Sequence, residues 1–210
     1  VKKHFLITAG PTHEPLDPVR YLTNRSSGKM GYALAGAAAH EGHRVTLISG
    51  PCDLEVPEGV DYLPVETAAE MYGAVSRYIG KSQVAIFAAA VADYRPVNVP
   101  EQKIKKTGDT LTLELVKNPD ILGSAREVFG YKGTLIGFAA ETENVEDNAR
   151  EKLKRKGCDF VVANDVSRKD IGFDTSENEV SLVYLNHTES LPKDDKYKLS
   201  LEIIQKSLEV

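Results

Sequence analysis

Ile7-Thr8-Ala9-Gly10-Pro11-Thr12-His13-Glu14-Pro15-Leu16-Asp17-Pro18-Val19-Arg20-Tyr21-Leu22-Thr23-Asn24-Arg25-Ser26-Ser27-Gly28-Lys29-Met30-Gly31 sets a long polar loop between a strand and a helix. Phe5-Leu6-Ile7-Thr8 reads as a buried parallel strand, and Met30, Ala33, Leu34, Ala37 and Ala38 recur at helical spacing. The two form a first βα unit. In an open parallel sheet, ligands bind beyond the carboxyl ends of the strands, where a helix N-terminus offers unpaired N–H groups and about half a positive charge to an anion. Ser26, Ser27 and Gly28 stand at that terminus; an ordinary capping turn uses the same residue types, so both readings stay open.

Outward from this unit the rhythm repeats. Arg44 to Ile48 reads as a second strand closed by the turn Ser49-Gly50-Pro51. Thr67 and Glu70 form a capping box ahead of the apolar stripe Met71, Ala74, Val75, Tyr78 and Ile79, and Val84 to Ala88 is the next buried strand. Alternating strands and amphipathic helices imply right-handed crossovers and a sheet covered on both faces. The expected fold is α/β, a Rossmann-like doubly wound, mostly parallel sheet. Between Ala89 and Leu115 the pattern breaks at Pro96, Pro100 and a Lys-rich run, and Thr110 to Leu115 alternates at period two. A lid or arm insertion at about 94–117 follows, a small β arm for dimerisation, because a lone arm is marginal. Helices are expected over Asp120 to Phe129, Val145 to Lys156 and Tyr197 to Leu208, and strands over Thr134 to Ala139, Asp159 to Ala163 and Glu179 to Tyr184. Asn186 to Lys196 reads as a polar surface loop, and 1–210 as a single domain.

Composition narrows the function. The chain's 26 basic and 31 acidic residues give a net charge of −5, which argues against a general nucleic-acid surface. Cys52 and Cys158 have neither metal-ligand spacing nor a disulfide framework, which fits a reducing cytoplasm. No apolar run has the length of a membrane span, and no signal peptide is apparent. An opening Val1 in place of Met suits a piece of a longer polypeptide or a trimmed chain.

Four polar clusters fall at predicted strand ends, where a doubly wound sheet holds its ligand. Asn24, among Arg20, Arg25 and Lys29, offers a donor and an acceptor without titrating, and is also a common turn-former. Ala88, Ala89 and Ala90 allow a planar ligand close to the backbone or simply pack tightly; Asp93 after them suits a ribose hydroxyl, a metal ion or a turn. Lys103-Ile104-Lys105-Lys106 is a solvated charge run or a lid over a polyphosphate. The last cluster joins Asn118-Pro119-Asp120-Ile121 at a helix start, Phe138 beside Gly137, and Lys152 with Lys156 on one helix face. The lysines double as surface decoration and Phe138 as a core aromatic. Asp165 is a further strand-end carboxylate. No G-x-G-x-x-G follows a strand and no complete Walker A is present, which counts against nicotinamide binding; a reductase and a non-catalytic module on the same fold are the rival readings.

Taken together, the Ile7 to Gly31 stretch, Ala89 to Arg95, Lys103 to Lys106, Val116 to Leu122, Gly137 to Thr142 and Ala163 to Val166 resemble one family across nearly the whole chain. That family is the bacterial phosphopantothenoylcysteine synthetases, the ligase half of the bifunctional coenzyme A biosynthesis flavoprotein. The resemblance implies that CTP and 4′-phosphopantothenate give an acyl-cytidylate and pyrophosphate, after which the amine of L-cysteine displaces CMP. It implies that Lys103 stabilises charge in the first step and Asn24 serves the second. Asp93, Asn118, Pro119, Asp120, Ile121, Phe138, Lys152 and Lys156 match CTP-contacting positions, and Ala89 and Ala90 the tight backbone region. Ser26, Ser27 and Gly28 are expected to approach phosphate. Mg²⁺ is the expected metal, with Asp93 as its candidate ligand. A homodimer is expected, with fusion to a flavin-dependent decarboxylase in a full-length protein and no FMN in this chain.

Overall fold

The computed structural model describes residues 1–106, 108–165 and 177–210. Its first strand, β1 (His4–Ala9), is buried at every position, as an apolar run covered on two faces must be. The chain continues through β2 (His13–Pro15), β3 (Tyr21–Thr23), α1 (Lys29–His40), β4 (Arg44–Ser49), β5 (Val60–Pro64) and α2 (Ala68–Tyr78). A 3₁₀ turn at Ile79–Lys81 leads to β6 (Val84–Phe87), β7 (Tyr94–Pro96), β8 (Leu115–Lys117), α3 (Ile121–Glu127) and β9 (Thr134–Glu141). It ends with α4 (Val145–Lys156), β10 (Phe160–Asp165), β11 (Glu177–Val183), β12 (Thr188–Asp195) and α5 (Lys196–Ser207).

Eight strands form one sheet in the order β12-β11-β10-β9-β6-β1-β4-β5. The six from β10 to β5 run parallel, and β11 and β12 turn antiparallel at one end. Side chains alternate across β1: Phe5 and Ile7 join the core under α1 and α5, and Leu6 joins the one under α2, α3 and α4. The fold is therefore the expected doubly wound α/β sheet. After β1 the chain moves outward to β4 and β5, then returns to place β6 on the other side of β1. This reversal is the switch point where such sheets leave a crevice.

The capping box forms: Thr67 Oγ1 accepts from Glu70 N–H at 3.2 Å, and the Glu70 carboxylate accepts from the Thr67 N–H. Elsewhere the sequence reading needs correction. The expected loop at Asn186 to Lys196 holds strand β12, paired with β11 and followed at once by α5. It looks like a loop because an edge strand buries little; within it only Leu191 is buried among the described residues. Of the strand expected over Thr110 to Leu115, only Leu115 lies in a strand, β8, with the Glu114 carbonyl accepting from Val97 N–H at 3.0 Å beside it; the segment before them finds no partner strand among the described residues. The parallel edge strand β5 and the hairpin β2–β3 were not anticipated. The Val166 end of the Ala163 to Val166 motif lies outside the described residues.

The opening loop folds around buried polar groups. Thr12 is fully buried; its hydroxyl accepts from Ala92 N–H at 3.0 Å, and its carbonyl accepts from Thr23 Oγ1 at 2.9 Å. Glu14, also buried, accepts from Ala68 N–H at 2.8 Å, so a carboxylate sits at the positive end of α2. Asp17 accepts from the N–H groups of Val19 and Arg20, both at 2.9 Å, and from the Arg20 guanidinium at 2.6 Å. The loop is thereby fixed against β6 and α2 rather than left to solvent.

Candidate active site

At the switch point the β1–β6 ladder runs on past both strands. Ala90 N–H donates to the Gly10 carbonyl at 2.9 Å, and Thr12 N–H to the Ala90 carbonyl at 3.3 Å. This places Ala89 and Ala90, both half-buried, on the floor of a cleft with two lobes. The inner lobe, a cavity of about 510 Å³, is lined by Asn24 to Gly31, Ala88 to Val91, Ala139, Ala140, Asn164, Asn178 and Lys196. The outer lobe, about 520 Å³, is lined by Lys117 to Leu122, Arg155 and Lys156. Ala89, Val91, Asp93, Phe138 and Lys152 border both.

On the inner lobe, α1 begins at Gly28, whose φ of 76° is the left-handed region that glycine adopts without strain. Gly28 itself is the N-cap, so neither serine takes that position. No side chain caps α1 and no acid occupies its first turn, which leaves the helix end suited to an anion. Gly31 brings α1 onto β1 so tightly that an added Cβ would stand 2.4 Å from the Ala9 Cβ. Asn24 Nδ2 donates to the Val91 carbonyl at 3.1 Å, tying the loop across the cleft floor.

On the outer lobe, Asn118 Nδ2 donates to the Ala92 carbonyl at 2.8 Å, and Asn118 N–H to the Asp93 carbonyl at 2.8 Å. Arg95 Nη1 donates to Asn118 Oδ1 at 3.1 Å, so the asparagine fastens the wall. Asp120 caps α3 by accepting from Gly123 N–H at 2.8 Å, and pairs with Lys156. Burial pushes the Asp120 carboxyl up, but the hydrogen bonds from Lys156 and Gly123 outweigh it and the net shift is downward. Lys152 Nζ donates to the Phe138 carbonyl at 2.6 Å, and burial lowers its ammonium below the ordinary lysine range. Lys152 and Lys156 are thus drawn in against the cleft rather than spread as surface charge. A slot with small backbone walls, an aromatic face at Phe138 and cations at both ends suits a planar, phosphorylated ligand.

Asn24, Ser26, Ser27, Gly28, Ala89, Ala90, Asp93, Phe138 and Lys152 come together on the inner lobe, and Asn118, Pro119, Asp120, Ile121 and Lys156 on the outer. Lys103 does not join them. With Arg20, Ile104, Lys105, Lys106 and Leu111 it lines a separate groove of about 640 Å³. Asp17 sets that segment in place: its carboxylate accepts from Ile104 N–H at 3.1 Å, while Arg20 Nη2 donates to the Ile104 carbonyl at 3.0 Å. The Arg20 guanidinium holds the Asp17 carboxyl well below the usual carboxylate range. Asp93 is exposed, and among the described residues no three His, Cys, Asp or Glu side chains gather closely enough to hold a metal on their own.

The sequence reading missed Asp17, Arg95, Asn178 and Lys196. Asp17 three residues before Arg20 carried a usable signal, an aspartate-turn pattern. Lys196 carries none, because the polar stretch before it reads as a loop and hides the start of α5.

The family model for the DNA/pantothenate metabolism flavoprotein C-terminal domain matches residues 1–210. The coenzyme A biosynthesis bifunctional protein CoaBC of Vibrio cholerae is 50% identical over 206 residues, covering 97% of this chain and 52% of that protein. The CoaBC protein of Escherichia coli is 47% identical over 196 residues, covering 92% of this chain and 48% of that protein. The chain thus spans about half the length of these curated relatives. A crystal structure of the C-terminal domain of CoaBC superposes with a TM-score of 0.83 at 41% identity, covering 99% of this chain and 95% of that one. With its whole length matched by the model and its fold shared with that domain, the chain belongs to the DNA/pantothenate metabolism flavoprotein C-terminal domain family.

Proposed function

We propose that this chain is a CTP-dependent phosphopantothenate–cysteine ligase, joining 4′-phosphopantothenate to L-cysteine through an acyl-cytidylate. The observation that carries the reading is the continuous cleft. One crevice at the switch point runs from Asn24 and the N-terminus of α1, over Ala89 and Ala90, to Phe138, Lys152 and the Asn118–Ile121 wall. The relatives that match 97% and 92% of this chain, along about half of their own length, are named for coenzyme A biosynthesis.

In the first step a carboxylate oxygen of phosphopantothenate attacks the α-phosphorus of CTP, and pyrophosphate leaves with the bonding electron pair. The chain's part is to hold both reactants in line and offset their charge. Backbone groups of Ala89 and Ala90 and the face of Phe138 position the nucleotide, while Lys152 and Lys156 supply positive charge. In the second step the cysteine amine attacks the acyl carbon and CMP departs; Asn24, tied to Val91, holds the reacting acyl group without exchanging a proton. Mg²⁺, when bound, offsets triphosphate charge. It characteristically uses one or two carboxylates plus substrate phosphates, and Asp93 at the junction of the lobes fits as that carboxylate. For Lys103 to serve the first step, its segment must reach the cleft of its own chain or of a second copy. A cytoplasmic homodimer, joined through the β7–β8 arm and fused in full length to a flavin-dependent decarboxylase, completes the reading; 1–210 is then one ligase domain, and no FMN site belongs to it.

Pyrophosphate release tests this. With the wild-type chain it should require CTP and phosphopantothenate but not cysteine, and product should appear only when cysteine is added. Asn24→Ala should release pyrophosphate yet form little product, whereas Lys103→Gln should lose the release itself. Release with neither CTP nor ATP would leave a non-catalytic module, and thermal stabilisation by NADPH in place of CTP would favour the reductase reading.

A further inference from the structure

Lys196 opens α5, lines the inner lobe and is only 6% exposed. Lysine is seldom so deeply buried without a strong polar reason. It is engaged by the surrounding protein, so it belongs to the cleft wall before any ligand arrives. The same lobe is lined by Ser26, Ser27 and the uncapped start of α1. Beside Lys196 stand Asn178, 3% exposed, and Asn164, 9% exposed, whose Oδ1 has no hydrogen-bond partner among the described residues. A buried amide oxygen that lines a cavity without a partner marks this end of the lobe as a ligand site, one that a ligand's hydroxyl or amine would satisfy; the phosphate itself, which only accepts, falls to Lys196 and the start of α1. Charge agrees: among the described residues Arg25, Lys29, Lys152 and Lys196 line this lobe against a single carboxylate, Asp93.

We infer that Lys196 is a phosphate ligand of the active site, facing the N-terminus of α1 across the terminal phosphates of the nucleoside triphosphate. It takes up the charge that grows on pyrophosphate as the bond from the α-phosphorus to the bridging oxygen breaks. The electron pair stays on that oxygen, and Lys196 donates a hydrogen bond without losing its proton. The inference rests on the ligase reading above. The shared chemistry is a phosphate group, and the competing source is the phosphate of phosphopantothenate.

The test measures binding of CTP, CMP, 4′-phosphopantothenate and pantothenate to the full chain and to Lys196→Met and Lys196→Arg. Losing a charge-assisted hydrogen bond to phosphate should weaken CTP on the order of 10- to 100-fold in Lys196→Met. CMP should be unchanged and Lys196→Arg should recover part of the loss. In the labelled wild-type chain the Lys196 Nζ resonance should also shift with CTP but not with CMP, a readout that survives if the variants fail to fold. Equal weakening of CTP and CMP, a loss confined to phosphopantothenate, or a Lys196 resonance indifferent to CTP would each overturn the assignment. A wild-type chain that does not prefer CTP to CMP would instead overturn the ligase reading itself.

Discussion

Gly31→Ala tests whether the cleft depends on how closely α1 lies on β1. The new Cβ would stand 2.4 Å from the Ala9 Cβ, 3.0 Å from the Ala9 Cα and 3.3 Å from the Thr8 carbonyl oxygen. Carbon atoms in good contact sit about 3.5–4.0 Å apart, so α1 must retreat by on the order of 1 Å. Overpacking of this kind costs about 1–3 kcal/mol, and the better helix propensity of alanine offsets up to about 1 kcal/mol. The net expectation is a loss of about 1–2 kcal/mol, with weaker CTP binding, because the displaced helix carries Gly28 and the terminus proposed to meet phosphate with it. Urea unfolding measures the first effect and calorimetric titration the second. Ala9→Gly removes the worst contact, although in a strand it costs about 1 kcal/mol by itself. Combined with Gly31→Ala it should restore at least about 1 kcal/mol beyond additivity. Additive single effects, or a Gly31→Ala protein more stable than wild type, would refute the close-approach argument.

Three further outcomes follow from particular side chains. Lys152 has a lowered pKa in the folded chain, so between that value and the ordinary lysine range the unfolded chain binds more protons and stability rises with pH. Lys152→Met should lack this rise, and parallel urea-derived stability curves for the two proteins from roughly pH 7 to 10 would contradict the burial argument. Cys158 is buried and its thiol is pushed up to about 12 by that burial, whereas Cys52 is half-buried. A thiol reagent should label Cys52 alone in the native chain and both after denaturation; mass spectrometry finding native label on Cys158 would count against this. Asp17→Asn loses the ion pair that holds Arg20 and loosens Ile104, so trypsin should cut faster within residues 103–106, and an unchanged cleavage rate would remove Asp17 from its holding role.

What was legible in the sequence was what periodicity and turn chemistry encode locally. Phe5 to Thr8 and Val84 to Ala88 reveal central parallel strands because burial on both faces demands a continuous apolar run. Thr67 and Glu70 reveal a helix start because both halves of the capping box lie within one turn. Strand β12 was hidden for the opposite reason: an edge strand with one buried side chain reads as a polar loop, and with it went Lys196. The opening loop reads from sequence as a long polar connection and not as a hairpin, since its buried Thr12, Glu14 and Asp17 are satisfied by distant partners at Ala92, Ala68 and Ile104. The candidate site fared likewise. Strand-end clusters pointed to the cleft, whereas the distance between Lys103 and its expected neighbours is a matter of tertiary packing.

The two ends of the main sheet restrict how copies of this chain can meet. At one margin β5 is short, ends at Pro64 and carries Asp61 in an ion pair with Arg44. At the other, β12 contains Pro192 and is studded with Glu189, Lys193, Asp194 and Asp195. Proline removes a ladder donor and charge disfavours an incoming strand, so neither margin invites a continuous intermolecular sheet. That leaves the proposed dimer contact to the β7–β8 ribbon, beside which Tyr94, Val97, Leu115 and Val116 are exposed. A contact of that kind would close on a fixed number of copies without offering a template for fibrous growth.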